Sequence, residues 1–255
     1  MCGGWRGDTF TDAPGVIASM GIMEFVGAAP GQPTTMRMLR LPGVYRPQAD
    51  TRLLASAFVE QGLHRAGQVL DVGTGTGAVA LAAASATSAG CRVTAVDISR
   101  QAVWAARLNS AWRRGRVSVR RGDLLEPVAG RTFDVVLANP PYVPTEEENV
   151  PPRGRARAWD AGTDGRLVLD RLCTQVPRYL KPRGTLLVVH SALCGVGTTL
   201  GLLEAVGLHA RVVARSLEPF GPVLSARAAF LEECGLIEPG CREEELVVIR
   251  GDFPQ

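Results

Sequence analysis

Residues Val69-Leu70-Asp71-Val72-Gly73-Thr74-Gly75-Thr76-Gly77, followed by the small-residue stretch Ala78 to Ala86, limit the fold more than any other segment. An apolar run ending in three alternate glycines and then turning alanine-rich reads as strand, tight turn and helix. That is the first βα unit of a doubly wound α/β domain. The glycines allow a tight turn and a close approach of main chain to ligand. Apolar runs near 68–72, 92–97, 117–120, 133–138 and 184–190 alternate with helical stretches near 50–62, 77–89, 99–113, 164–180 and 195–206. Ser99 is placed as a helix N-cap, and Lys181-Pro182-Arg183-Gly184 as a stop and turn. Strands near 209–217 and 244–250, with a helix near 224–234 between them, complete a seven-stranded, mostly parallel sheet whose last strand is antiparallel. A chain of 255 residues, 46% hydrophobic and 21% charged, is ample for one such core.

The acids say what the glycine turn binds. A dinucleotide fingerprint is G-x-G-x-x-G; here the pattern is G-x-G-x-G with Asp71 before it. A carboxylate there repels a pyrophosphate and attracts an ammonium. Asp97 ends the strand Arg92 to Asp97, twenty residues past Gly77, the usual place for a carboxylate that holds ribose hydroxyls. Asp123 follows the short strand Val117 to Arg120 and is placed to accept from an adenine amino group. A glycine turn alone is weak evidence, and one acid alone is most often a solvated loop residue. Asp71, Asp97, Asp123 and Asn139 at the ends of four successive strands point to a ligand with ribose hydroxyls and a positive amino-acid part: S-adenosylmethionine.

Asn139-Pro140-Pro141-Tyr142 follows the apolar run Phe133 to Ala138. Two prolines can neither continue a strand ladder nor open a helix, so the chain turns rigidly at the strand's carboxyl edge. The Asn139 side chain and the carbonyl at Pro140 offer acceptors, and Tyr142 offers an aromatic face. That set suits a planar NH2 group whose lone pair is conjugated, an amide nitrogen or an adenine N6.

The chain resembles the HemK-type (PrmC-like) protein-glutamine N5-methyltransferases, and most closely the short branch without an N-terminal helical substrate domain. The resemblance runs from about Leu41 to Asp252. It rests on Gly43-Val44-Tyr45-Arg46-Pro47-Gln48-Ala49-Asp50-Thr51, Asp71 to Gly77, Asp97, Asp123, the NPPY tetrad, Trp159 to Arg166 (WDAGTDGR) and Glu243 to Arg250 (EEELVVIR). The resemblance implies a class I S-adenosylmethionine-dependent methyltransferase with a Rossmann-like sheet. By it, Thr51, Asp71, Gly73, Gly75, Gly77, Asp97, Asp123 and Asn139 hold the cofactor, and Asn139, Pro140, Pro141 and Tyr142 hold the substrate amide. Asn139, Pro140 and Tyr142 would carry the catalysis. The implied partner is a protein substrate, a release factor with its Gly-Gly-Gln loop, and eukaryotic members of the branch use a small zinc-binding activator subunit. Three other readings stay open: an N6-adenine methyltransferase on DNA or RNA, a small-molecule N-methyltransferase, and a non-catalytic cofactor-binding scaffold.

The net charge of +3 is too small to imply a nucleic-acid partner. Six cysteines without a C-x-x-C pair and three isolated histidines point to reduced thiols in a cytoplasmic protein that holds no metal. No apolar run approaches a membrane span. Residues 1–37 are rich in breakers and read as a disordered leader or a mis-called start, which sets the methyltransferase domain at 38–255. In the loop from Pro144 to Trp159, Arg153, Arg155 and Arg157 are candidates for partner recognition, and Arg113, Arg114 and Arg116 are read as an exposed helix end.

Overall fold

Alternation inside the apolar runs decides which helix each strand meets. The computed structural model describes residues 21–29, 32–111, 116–149 and 156–254. Strand β3 (Gln68–Val72) turns Leu70 and Val72 to one face, where they pack with Leu169, Leu172 and Cys173 of helix α4 (Leu167–Gln175). Val69 goes to the other face, against Leu54 and Phe58 of α1 (Ala49–Glu60) and Val79 and Ala83 of α2 (Ala78–Ala86). The remaining elements are β4 (Arg92–Asp97), α3 (Arg100–Ser110), β5 (Val117–Arg121), β6 (Phe133–Ala138), β7 (Leu180–Ser191), α5 (Val196–Ala205), β8 (His209–Pro219), α6 (Pro222–Ala226), α7 (Ala228–Glu233) and β9 (Glu243–Asp252).

The seven strands lie in the order β5-β4-β3-β6-β7-β9-β8, and only β9 is antiparallel to its neighbours. This is the expected sheet, with the last strand inserted between β7 and β8. The chain winds outward from β3 through β4 to β5, then returns to lay β6 on the other side of β3. A crevice opens at the carboxyl ends where the winding reverses, and there the glycine turn after β3 meets the tetrad after β6.

Four differences from the sequence reading have physical causes. First, Gly21–Ala29 (β1) and Gln32–Arg40 (β2) pair as an antiparallel hairpin, so structure begins well before residue 38. Met23, Phe25, Met36 and Met38 are buried against Ala55, Ala78, Leu81 and Ala82, an apolar outer face of α1 and α2 that would otherwise meet water. Residues 1–20 lie outside the described residues. Second, Lys181 to Gly184 is not a turn ahead of the strand but a bulge within β7, between the pairs Phe133–Leu180 and Val135–Thr185, with Arg183 left-handed at φ 63°. Third, the helices expected over 164–180 and 224–234 are each broken: the first gives way to a 3-10 turn at Val176–Tyr179, and the second is split into α6 and α7. Fourth, Arg116 is no free helix end. Its guanidinium donates to the carbonyls of Thr87 (3.0 Å) and Ser88 (2.6 Å), just past the carboxyl end of α2, where a cation suits the helix dipole. Arg113 and Arg114 lie outside the described residues.

Cys91, Cys173, Cys194, Cys234 and Cys241 are unpaired, and burial pushes the thiols of Cys173 and Cys194 up to about 12. Among the described residues, no helix is long and apolar enough to cross a membrane.

Candidate functional site

The glycine turn is built by hydrogen bonds to the neighbouring strand. The amides of Gly73 and Thr74 both donate to the Val96 carbonyl (2.9 and 3.0 Å), which folds the turn over the end of β4. Asp97 then fixes it: one carboxylate oxygen accepts from the Gly75 amide (2.9 Å), the other from the Ser99 amide (2.8 Å). Ser99 in turn caps α3 through the Ala102 amide, as its residue type predicts. Gly73 (φ 74°) must be glycine, since a side chain there would press on the Asn139 carbonyl at 3.3 Å. Gly77 (φ 86°) lets α2 approach Ala106 of α3. At Gly75 (φ 54°) an added side chain would meet nothing, so the turn presents bare backbone to open space.

Asp71 sits elsewhere than its motif suggests. Strand alternation turns it under α2, where it is 1% exposed. One oxygen accepts from the Thr74 hydroxyl (2.5 Å) and from the amide of Ala80 in the first turn of α2 (3.0 Å). It thus replaces the N-cap side chain that Gly77 lacks. Burial pushes its pKa up to about 7, against the pull of those two bonds. Asp97 is also raised, first by burial and against its amide partners.

A cavity of about 1370 Å³ lies over the carboxyl ends of β3 to β6. Thr51, Gly73, Gly75, Asp97, Asp123, Asn139, Pro140, Pro141 and Tyr142 line it, whereas Asp71 and Gly77 stand behind its wall. Single-ligand pockets run to roughly 1,000 Å³, so this one has room for a nucleoside-sized group and an acceptor side chain together. Asp123 forms an ion pair with Arg171 (2.6 Å) at the rim. Leu124, next to it and also on the wall, is left-handed at φ 43°, a strained non-glycine position of the sort found at binding sites.

The acceptor tetrad is braced from behind. The amide of Val143 donates to the Trp159 carbonyl (2.7 Å), Ala161 returns a bond to Val143 (3.1 Å), and Thr145 bonds Gly162 (3.0 Å). This pairing closes the base of the loop from Pro144 to Trp159 and explains WDAGTDGR. Gly165 (φ 72°) lies so near the Tyr142 carbonyl that a side chain would collide with it. Buried Asp160 pairs with Arg227 (2.6 Å), which also donates to the Pro144 carbonyl (2.9 Å). Arg166 donates to the Cys194 and Gly195 carbonyls and to Asp170 (2.6 Å). Arg157 lines the cavity; Arg153 and Arg155 lie outside the described residues.

Two groups on this wall escaped the sequence reading. Asp50, which lies within the Gly43 to Thr51 stretch, sits between Tyr45, Thr51, Asn139 and Tyr142. Glu244 of β9 lines the cavity near Asp50 and Glu218; burial, then those acids, raise it to about 7. An acid directly before the candidate cofactor residue Thr51 was the signal for the first. Nothing local in EEELVVIR marks the second.

The donor set fits S-adenosylmethionine: open glycine backbone, a carboxylate at the end of β4, a second at the end of β5, and acceptors across the crevice. A family model described as Methyltransferase small domain matches residues 35–152. A putative protein N5-glutamine methyltransferase of Methanocaldococcus jannaschii is 35% identical over 187 residues, covering 73% of this chain and 92% of that one. The release factor glutamine methyltransferase of Geobacter sulfurreducens is 31% identical over 196 residues, covering 74% of this chain and 64% of its own length. Among solved structures, the E. cuniculi Mtq2–Trm112 complex, responsible for methylation of the termination factor eRF1, aligns over 83% of this chain and 99% of that one. Its TM-score is 0.56 and its identity 24%. With the sheet order, the glycine turn and the tetrad in place, the chain is a class I S-adenosylmethionine-dependent methyltransferase and belongs to the HemK-type family of protein N5-glutamine methyltransferases.

Proposed function

We propose that the protein methylates the side-chain amide nitrogen of a glutamine in the Gly-Gly-Gln loop of a release factor, in the cytoplasm. The names of the archaeal and bacterial relatives support this reading. The observation that carries it is the position of Asn139 and Pro140 on the cavity wall, with the Asn139 backbone against Gly73 of the cofactor turn. Acceptor and donor sites therefore share one crevice.

In this reading Thr51, Gly73, Gly75, Asp97 and Asp123 hold the cofactor, which supplies a methyl group made electrophilic by its sulfonium. Asp71 and Gly77 act on it indirectly, by holding the turn and α2. A carboxamide nitrogen is a poor nucleophile. The Asn139 side-chain oxygen and the Pro140 carbonyl accept its two N–H groups, orient it, and stabilise positive charge as it develops. Pro141 keeps the turn rigid, and the Tyr142 ring packs beside the amide. After transfer the nitrogen loses one proton, which these oxygens pass to water.

A second chain assembles with the E. cuniculi protein. An activator here would need an exposed apolar surface, and Trp104 and Leu108, one turn apart on α3, are 50% and 41% exposed.

The test is transfer of a labelled methyl group to purified release factor. Wild type should label one glutamine. Asn139→Ala should lose a hundredfold or more in turnover, the scale on which one preorganised transition-state donor or acceptor acts. Its cofactor affinity should change much less, since Asp97 and Asp123 remain. Near wild-type transfer by Asn139→Ala, or labelling of DNA and not of release factor, would replace this reading.

A further inference from the structure

Asp50 is the second residue of α1 and is 2% exposed, yet among the described residues none of its hydrogen-bond partners is an arginine or lysine. Its carboxylate accepts five hydrogen bonds instead. One oxygen takes the Thr51 amide (2.6 Å) and hydroxyl (3.1 Å). The other takes the Tyr45 hydroxyl (3.0 Å), the Asn139 side-chain NH2 (2.9 Å) and the Tyr142 hydroxyl (3.2 Å). Gln48 donates to the Tyr45 oxygen (3.0 Å), which leaves the Tyr45 proton for Asp50. Burying a carboxylate without a counter-cation costs several kcal/mol unless its lone pairs are well satisfied. Here they are satisfied by the tetrad itself.

The consequence lies in the chemistry of a carboxamide. Asn139 carries one acceptor and one donor on a nearly symmetric plane, and a half-turn about its last bond exchanges them. A carboxylate is acceptor-only and therefore selects the NH2. The Asn139 oxygen, which no described residue donates to, is left on the cavity side. An asparagine turned the other way would present NH2 to an NH2 and repel the acceptor.

We propose that Asp50 is a positioning residue of methyl transfer. It locks the Asn139 carboxamide with its oxygen toward the acceptor nitrogen, and it anchors the Tyr142 ring through the same oxygen. Asp50 touches no substrate in this scheme; it acts through Asn139 and Tyr142. The proposal rests on the glutamine reading given above.

Asp50→Asn changes one oxygen to NH2 at almost constant shape. With its remaining oxygen held by Thr51, the new NH2 opposes the NH2 of Asn139. Turnover on release factor should fall about a hundredfold, with KM and cofactor affinity within about threefold of wild type. The double variant Asp50→Asn/Asn139→Asp restores a donor facing an acceptor and keeps an oxygen toward the substrate, so it should recover at least tenfold over Asp50→Asn alone. A scaffold role predicts the opposite, a double variant worse than either single one. A near wild-type turnover for Asp50→Asn, or no recovery in the double, overturns the proposal.

The 15N side-chain resonance of Asn139, assigned by its loss in Asn139→Ala, reads orientation with no substrate present. One of its protons should lie clearly downfield in wild type, from the bond to a carboxylate. Two protons at random-coil positions in wild type overturn the proposal even if Asp50→Asn does not fold. A wild-type enzyme that labels no release factor, with that resonance downfield, sinks the glutamine reading and leaves the Asp50 orientation standing.

Discussion

Asp71 and Asp97 close neighbouring strands, yet their side chains do different work. Asp71 turns inward and holds the start of α2, while Asp97 stands at the crevice with one oxygen on the turn and the other on the α3 cap. A ligand bound by Asp97 also depends on the turn that Asp97 shapes. Asp97→Ala therefore removes a charged acceptor and loosens Gly75. Charge-assisted hydrogen bonds of this kind contribute about 2 kcal/mol, so S-adenosylmethionine should bind at least tenfold more weakly. Titration calorimetry checks this, and wild-type affinity in the variant would remove Asp97 from the site. The Asp123–Arg171 pair is half-exposed on the arginine side and correspondingly weak, so a ligand amino group can displace the arginine at little cost.

Among the elements, the β1–β2 hairpin carries the clearest prediction. Sequence composition at 1–37 makes a chain starting at Met36 look equivalent to the whole. The structure predicts otherwise. That truncation deletes β1, removes the buried Met23 and Phe25, and leaves Met36 and Met38 unpaired beside α1 and α2. Fully burying such a side chain contributes roughly 1.5–3 kcal/mol. At a few degrees per kcal/mol for a chain of this size, the truncated protein should melt about 5 °C or more below the full chain. Equal melting temperatures would show that the hairpin adds nothing. The hairpin also reaches the site: Asn109 of α3 bonds the Leu39 backbone at both N–H (2.7 Å) and carbonyl (2.8 Å) and donates to the Thr76 carbonyl in the glycine turn (2.9 Å).

For the molecule as a whole, the buried acids set the pH dependence of stability. Asp71 and Glu244 are both raised to about 7, first by burial. Between about pH 4 and 7 the native state keeps protons that the unfolded chain has released. Their contribution is therefore fully present below the unfolded values near 4 and is lost as pH rises through about 7. Asp134, bonded to Lys181, and Asp252, bonded to Arg211 and Arg250, are lowered and act oppositely: their contribution is present above about pH 4 and is lost on acidification. The melting temperature should peak at mildly acidic pH. Asp71→Asn keeps an acceptor for Thr74 and Ala80 but carries no charge, so it should flatten the decline between pH 5 and 8. Thermal melts across that range decide it, and a slope unchanged from wild type would contradict the buried-acid account.

Local periodicity was enough to determine the sheet. The apolar runs, the glycine spacing and the double proline place β3 to β9, put Asp97, Asp123 and Asn139 at strand ends, and bring the turn and the tetrad to one edge, because strand alternation and parallel winding leave little choice. The direction and partners of each side chain were not readable in that way. Asp71 faces α2 and not the cavity because β3 is covered on both faces, and the pattern of apolar neighbours is the same whichever helix covers which. Arg116 binds the end of a helix some thirty residues earlier in the chain. Lys181 to Gly184 carries turn chemistry that pairing with β6 on both sides absorbs as a bulge. Met23, Phe25, Met36 and Met38 look like scattered residues until α1 and α2 offer them an apolar face. Asp50 meets Asn139 across 89 positions of sequence, and only the packing of α1 over β7, β8 and β9 decides which oxygen the site presents.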